Sequence, residues 1–263
     1  MKFTNGFLVC CLILLISTMA TAADKPAKHP KTGEPLVIDV LRGTPKIDGK
    51  LDDWMLDLLT PAVLDTKEQI FNGAGSWKNP TDSSGKFYVL WDDDNIYMAS
   101  VMKDDKLSMQ KDGSGIWNAD CIEIFLSTTK ATPPHAEHYQ WGFNPDNKIW
   151  NWCNMDGNGS REPDYLKIES TKTGDGYICE VALEYDNVKS LRKDFKAGKA
   201  MGFHPVFDDA DDGADRDLQM TWTGREAHDQ SQGFGQIIFS DEAMAVSAKQ
   251  KLSVFWSLIK TQQ

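Results

Sequence analysis

Residues 87–101 constrain the fold more than any other stretch. Phe87-Tyr88-Val89-Leu90-Trp91 and Ile96-Tyr97-Met98-Ala99-Ser100-Val101 flank Asp92-Asp93-Asp94-Asn95. Aromatic and β-branched residues suit a pleated surface, and a run of aspartate and asparagine suits a turn, so the pattern predicts a β-hairpin. Further strand-like segments follow at 121–126, 138–143, 148–153, 165–170, 177–183, 200–207, 218–223 and 236–239. Turn signals punctuate them: Asn144-Pro145-Asp146-Asn147, Asp156-Gly157-Asn158-Gly159 and Gly174-Asp175-Gly176. Many short strands with regular turns predict an all-β sandwich or barrel. Short helical insertions are expected at 51–58 and 187–195.

The ends read differently. Lys2 precedes the apolar run FLVCCLILLI and the small residues STMATAA, the order of a secretory signal peptide over 1–23. Residues 24–35 hold three prolines and read as a flexible leader, 36–241 as the folded domain, and 242–263 as a tail that suits a helix. The tail is a candidate contact for a protein partner, and no segment after the signal is apolar enough to be a transmembrane helix. A secreted or periplasmic protein is therefore expected.

Lys2 is the only charged residue of 1–23, so cleavage takes the net charge from −11 to −12. Such a surface repels nucleic acid and anionic lipid and suits neutral ligands or cations. Cleavage also leaves Cys121, Cys153 and Cys179. An odd count forbids complete pairing within one chain. Cys121 and Cys179 read as small buried hydrophobes, and one disulfide of unassigned pairing stays open.

Several segments together resemble the family 9 carbohydrate-binding modules. They are Ile47-Asp48-Gly49-Lys50-Leu51-Asp52-Asp53-Trp54, the Val89–Tyr97 hairpin, Trp117 with Asp120-Cys121-Ile122-Glu123-Ile124-Phe125-Leu126, and Gly176-Tyr177-Ile178-Cys179-Glu180-Val181-Ala182. Gly202-Phe203, the 208–217 aspartate run, Thr221-Trp222 and Phe234-Gly235 follow in the family's order. The resemblance spans about 36–240. It implies a jelly-roll-like sandwich of two antiparallel sheets, noncatalytic polysaccharide binding in carbohydrate catabolism, structural calcium and no organic cofactor.

Sugars present an apolar C–H face and polar edges, so their sites combine displayed aromatic rings with fixed hydrogen-bonding groups. Trp117 follows the polar loop Lys111-Asp112-Gly113-Ser114-Gly115 and matches the family's stacking tryptophan. Glu123, a carboxylate in an otherwise apolar strand, needs partners or water, and it matches a sugar-bonding glutamate. Gln140 falls near a family arginine, which is a departure. Residues 139, 141 and 143 share one strand face and 150 and 152 another; either face is open as the ligand wall, and Trp141 is carried as a binding candidate with Trp150 and Trp152 as the alternative. Trp222 is also carried, although it matches a strand residue. The 223–233 loop lacks the family's second stacking tryptophan and has no aromatic ring but His228.

Dense aspartates with a turn glycine suit a hard cation, and Asp208, Asp209, Asp211 and Asp215 are the expected calcium ligands. A solvated acidic loop is the alternative. Three rival functions remain from the sequence. Paired carboxylates leave glycoside hydrolysis open. Met98, Met102 and His204 offer axial ligands for a haem-binding DOMON-like sandwich. Loss of a stacking ring fits a structural envelope module with a decayed sugar site.

Overall fold

The computed structural model describes residues 25–130, 138–153, 155–213 and 215–244. The expected signal peptide, residues 131–137 and most of the C-terminal tail lie outside them. Strands come in the order β1 (Val37–Arg42), β2 (Ala62–Leu64), β3 (Ile70–Asn72), β4 (Ser83–Trp91), β5 (Asn95–Asp104), β6 (Cys121–Ser127) and β7 (His138–Phe143). There follow β8 (Ile149–Asn151), β9 (Leu166–Thr173), β10 (Gly176–Glu184), β11 (Ala200–Asp209), β12 (Leu218–Thr221) and β13 (Gly235–Ala243). The predicted hairpin is β4–β5, paired from Ser83↔Asp104 to Trp91↔Ile96.

The fold is a β-sandwich. One layer runs β4-β5-β10-β9 with β2 on β4, and the other runs β8-β7-β6-β11-β13 with β12 and β3 extending from β11. β1 belongs to both. Val37 to Val40 pair with β13, the register shifts between Val40 and Arg42, and beyond the shift Arg42 still pairs with Ala243 of β13 while Leu41 and Arg42 pair with β4. Both β1 pairings are parallel, whereas every other pairing between these strands is antiparallel. The expected pair of antiparallel sheets is thus stitched by one strand that changes layer at a bulge.

Period two fills the space between the layers. Phe87, Val89 and Trp91 of β4 meet Tyr177, Cys179, Val181 and Leu183 of β10, Ile122 and Ile124 of β6, and Tyr139, Trp141 and Phe143 of β7 in one core cluster. The opposite face of β4–β5 is covered by the loop after β1, where Ile47, Trp54 and Leu59 pack on Tyr88, Leu90, Tyr97 and Ala99. A buried carboxylate pins that loop. Glu180 accepts the Trp54 indole N–H at 2.6 Å and the N–H groups of Asp48, Gly49 and Lys50 at 2.5 to 3.1 Å. Gly49 is required there, because its φ is +78° and a Cβ would lie 2.6 Å from Thr171 Oγ1.

The helical insertions shrink to single 3-10 turns, Leu56–Leu58 in the first and Tyr185–Asn187 with Arg192–Asp194 in the second. Met55, at φ 45°, breaks the first before an α-turn can close. The leader is not loose in its described part. Ala27 is buried, donates its N–H to Phe234 O and accepts from Leu36 N–H, and Lys28 bridges to Pro35. Cys121, Cys153 and Cys179 are buried free thiols. No helix among the described residues is long and apolar enough to cross a membrane.

Candidate functional site

Four neighbouring strands, β7, β6, β11 and β12, place one polar side chain each on a shared outer face. Asp208 of β11 lies directly opposite Gln219 of β12, and Glu123 of β6 pairs opposite Val206, one diagonal from Asp208. Gln140 of β7 pairs opposite Phe125 and so sits diagonal to Glu123. The resulting chain is continuous. Gln140 Nε2 donates to Glu123 Oε2 at 2.5 Å, and Gln219 Nε2 donates to Glu123 Oε1 at 3.4 Å and to Asp208 Oδ1 at 2.9 Å. Arg216 Nη1 reaches the same Asp208 Oδ1 at 2.7 Å.

Charge in this floor is nearly balanced. Burial, then repulsion by Asp208, pushes the Glu123 carboxyl well above the usual carboxylate range. Burial also raises Asp208, but Arg216 opposes that rise. Of the two, Glu123 is the one pushed further toward its protonated form, while Arg216 favours the charged form of Asp208. Asp208 Oδ2 finds no N–H or hydroxyl donor, and a proton on Glu123 supplies one.

Above the floor opens a cavity of about 700 Å³. Trp117 and Phe71 line it, at 39% and 44% exposure, and with Met55 they are the large hydrophobic residues most open to solvent among the described residues. Trp117 rides the 3-10 turn Gly113–Asn118. Ile116 buries that turn, and Trp152 ties it down by donating its indole N–H to Ser114 O at 3.1 Å. Arg216 lies over one face of the Trp117 ring, 4.9 Å from its centroid. Its backbone N–H is held by Asn118 Oδ1 at 3.0 Å. Trp152, His138 and His228 complete the walls.

Three of the five sugar-binding candidates thus converge: Trp117 on the wall, Glu123 and Gln140 in the floor. The other two do not. Trp141 is fully buried, stacked on Tyr139 with its indole N–H on Tyr165 Oη at 3.1 Å. Alternation along β7 explains this: His138 and Gln140 face the cavity, so Tyr139, Trp141 and Phe143 face the core. Trp222 is also core, against Phe203, and Gly235 makes room for it, since a Cβ there would lie 2.2 Å from the indole. Trp152, on the alternative wall face, lines the cavity instead, and Phe71, Arg216 and Gln219 are the lining residues that the sequence did not single out.

The expected calcium loop separates as well. Asp208 belongs to the cavity floor, and Asp215 is exposed and accepts from the Asn118 amide. Asp211 lies within 4.8 Å of Asp82 and Asp105. Asp209 joins Asp104 and Asp120 in a buried group of three carboxylates whose oxygens all lie within 4.8 Å of one another. Consecutive strand residues point to opposite faces, so Asp208 and Asp209 could not share a site. Burial and mutual repulsion push Asp104, Asp120 and Asp209 up to about 6, 8 and 9. Asp104 Oδ2 is buried without a donor. Three converging oxygens with an excess of negative charge fit a hard divalent cation.

The haem-ligand candidates are dispersed. Met98 and Met102 pack in the main core, and His204 is buried between Phe125 and Phe234 in a separate cluster.

A family model described as "Carbohydrate family 9 binding domain-like" matches residues 47–242. Among curated relatives, the exoglucanase XynX of Acetivibrio thermocellus is 26% identical over 221 residues, 81% of this chain and 18% of that protein. The endo-1,4-beta-xylanase C of Paenibacillus barcinonensis is 28% identical over 205 residues, 76% of this chain and 17% of that protein. The chain thus spans less than a fifth of these relatives. A family 9 module of Caldicellulosiruptor kristjanssonii, solved with cellotriose, superposes with a TM-score of 0.61 at 21% identity, covering 79% of this chain and 95% of that one. A putative carbohydrate-binding protein from Bacteroides uniformis gives 0.54 at 14% identity, covering 79% and 100%.

Proposed function

Because this chain belongs to the carbohydrate family 9 binding domain-like proteins, we propose that it is a secreted, noncatalytic module that binds a neutral plant-type polysaccharide in the Trp117 cavity. The observation that carries this reading is one displayed indole standing over a hydrogen-bonding floor of Glu123 and Gln140. A pyranose lying on that ring turns its hydroxyls toward the floor. Phe71, exposed on β3 and lining the same cavity, supplies a second apolar wall where the 223–233 loop offers none.

The charge pattern supports a neutral ligand. Arg216 is already paired with Asp208, and Glu226 adds negative charge at the rim. The acids argue against hydrolysis. Glycosidases hold two carboxyls roughly 5–10 Å apart on either side of the scissile bond, whereas Glu123 and Asp208 share the Gln219 amide side by side in the floor. The related exoglucanase and xylanase suggest a β-1,4-linked glycan, with this protein acting in polysaccharide breakdown. Calcium would be held by Asp104, Asp120 and Asp209, where it supplies charge neutralisation that joins β5, the start of β6 and the end of β11.

Calorimetric titration of the purified protein with cellotriose and xylotriose tests the reading. Saturable binding lost in Trp117→Ala supports it; no binding to a broad glycan array, or binding untouched by that change, removes it.

A further inference from the structure

Beside the buried triad lies a second group of three acids, Asp82, Asp105 and Asp211, with the same 4.8 Å spread of carboxylate oxygens. The two groups feel each other, since Asp211 raises the acids of the triad. They differ in one respect. The outer group already holds a cation, the ammonium of Lys78, at 2.6 Å from Asp82 Oδ1, 3.2 Å from Asp105 Oδ2 and 3.9 Å from Asp211 Oδ2.

Lys78 is fixed for this role. Its own N–H binds Asp82 Oδ2 at 2.8 Å, so backbone and side chain clasp the two oxygens of one buried carboxylate. Trp77 anchors the same segment by donating its indole N–H to Ser83 O at 2.9 Å. Its hydrogen bonds to Asp82 and Asp105 favour the charged ammonium. An ammonium is a compact point charge with three donors, and it meets three acceptor groups here.

We propose that Lys78 is a built-in monovalent cation that occupies the outer acid cluster, so that the six carboxylates accept one divalent ion rather than two. The inference rests on the calcium reading of the Asp104–Asp120–Asp209 triad. Its corollary is that removing the ammonium opens a second calcium site at Asp82, Asp105 and Asp211. The outer group then presents three oxygen ligands next to water, which suits a calcium ion that fills its remaining positions with solvent.

The test is calorimetric titration of chelator-stripped protein with calcium chloride, for the wild type, Lys78→Met and Lys78→Arg. The Lys78 side chain is 56% exposed, so neither change disturbs the core, and near-ultraviolet dichroism checks this. The expected stoichiometry is one equivalent for the wild type and Lys78→Arg and two for Lys78→Met. The double variant Lys78→Met/Asp120→Asn should keep only the outer ion. Two equivalents in the wild type, or one in Lys78→Met, would overturn the proposal. If the wild type binds none, the triad reading fails alone: a first equivalent gained by Lys78→Met then upholds the role of Lys78, and none gained refutes it.

Discussion

Asp208 and Asp209 are consecutive, both buried, and belong to two acid clusters of opposite character. The Asp208 cluster is furnished with donors: Arg216, Gln219, Gln140 and the proton of Glu123. The Asp209 cluster has mostly acids for neighbours, with backbone N–H groups of Ser108 and Ala210 turned to Asp120 and that of Lys106 to Asp104. Buried charge must be paired, protonated or bound to a metal. The donor-rich cluster is self-sufficient and is free to offer hydrogen bonds to a ligand. The donor-poor cluster is left to retain protons or to bind a cation. One strand thus carries a donor-paired acid on one face and a donor-poor acid on the other.

This contrast can be broken at either end. The largest expected effect is Trp117→Ala, which should weaken glycan binding by roughly 2–4 kcal/mol, thirtyfold or more, with calcium uptake unchanged. A parallel loss of calcium response, measured in the same calorimeter, would mean that the two faces are not independent. Calcium at about a hundredfold excess over its Kd should add about 2.7 kcal/mol of stability, roughly 5–10 °C in Tm. Asp209→Asn should abolish that shift while leaving glycan affinity in place.

The proton balance sharpens the same point. In chelator the triad acids have folded pKa values raised above the unfolded range of about 4, to about 6, 8 and 9. Their stabilisation is complete below pH 4 and is lost progressively from about pH 4 to 9, most steeply below 6 where all three acids contribute. Tm of the metal-free protein should therefore fall over that window, and saturating calcium should flatten the decline. A flat profile in chelator would deny the electrostatic coupling.

Smaller effects separate the parts of the Trp117 cavity. Phe71→Ala should weaken binding by about 0.5–1.5 kcal/mol, a few-fold to about tenfold, if its ring is a stacking wall. Glu123→Gln should cost least, under about threefold, because an amide can donate to Asp208 and accept from Gln140 as the protonated acid does. A loss beyond a hundredfold would show that an ionised Glu123 reads the sugar.

The sequence disclosed the parts governed by local chemistry. The β4–β5 hairpin was legible because its apolar runs and aspartate turn lie within fifteen residues of chain. Trp117 was legible because the polar loop before it keeps it from joining a strand. Trp141 was misread although the period-two rule was in hand: alternation says that Gln140 and Trp141 face opposite ways, and a polar partner facing the cavity commits the indole to the core. The same rule separates Asp208 from Asp209. Phe71 could not be read, since β3 is three residues long and owes its position to pairing with β12, some 150 residues away. Arg216 was hidden for a similar reason. Its neighbours Trp117 and Asp208 meet only after the loop before β12 folds over β6 and β11.

The layer change in β1 bears on how the chain reaches this state. Val37 lies beside Gln236, and four residues later the same strand borders Leu90. The seam between the layers therefore waits for the last strand to be synthesised, however early the β4–β5 hairpin forms. Such a high contact order slows folding. Clipping residues 37–40, or β13, should unfasten both layers together instead of fraying one edge.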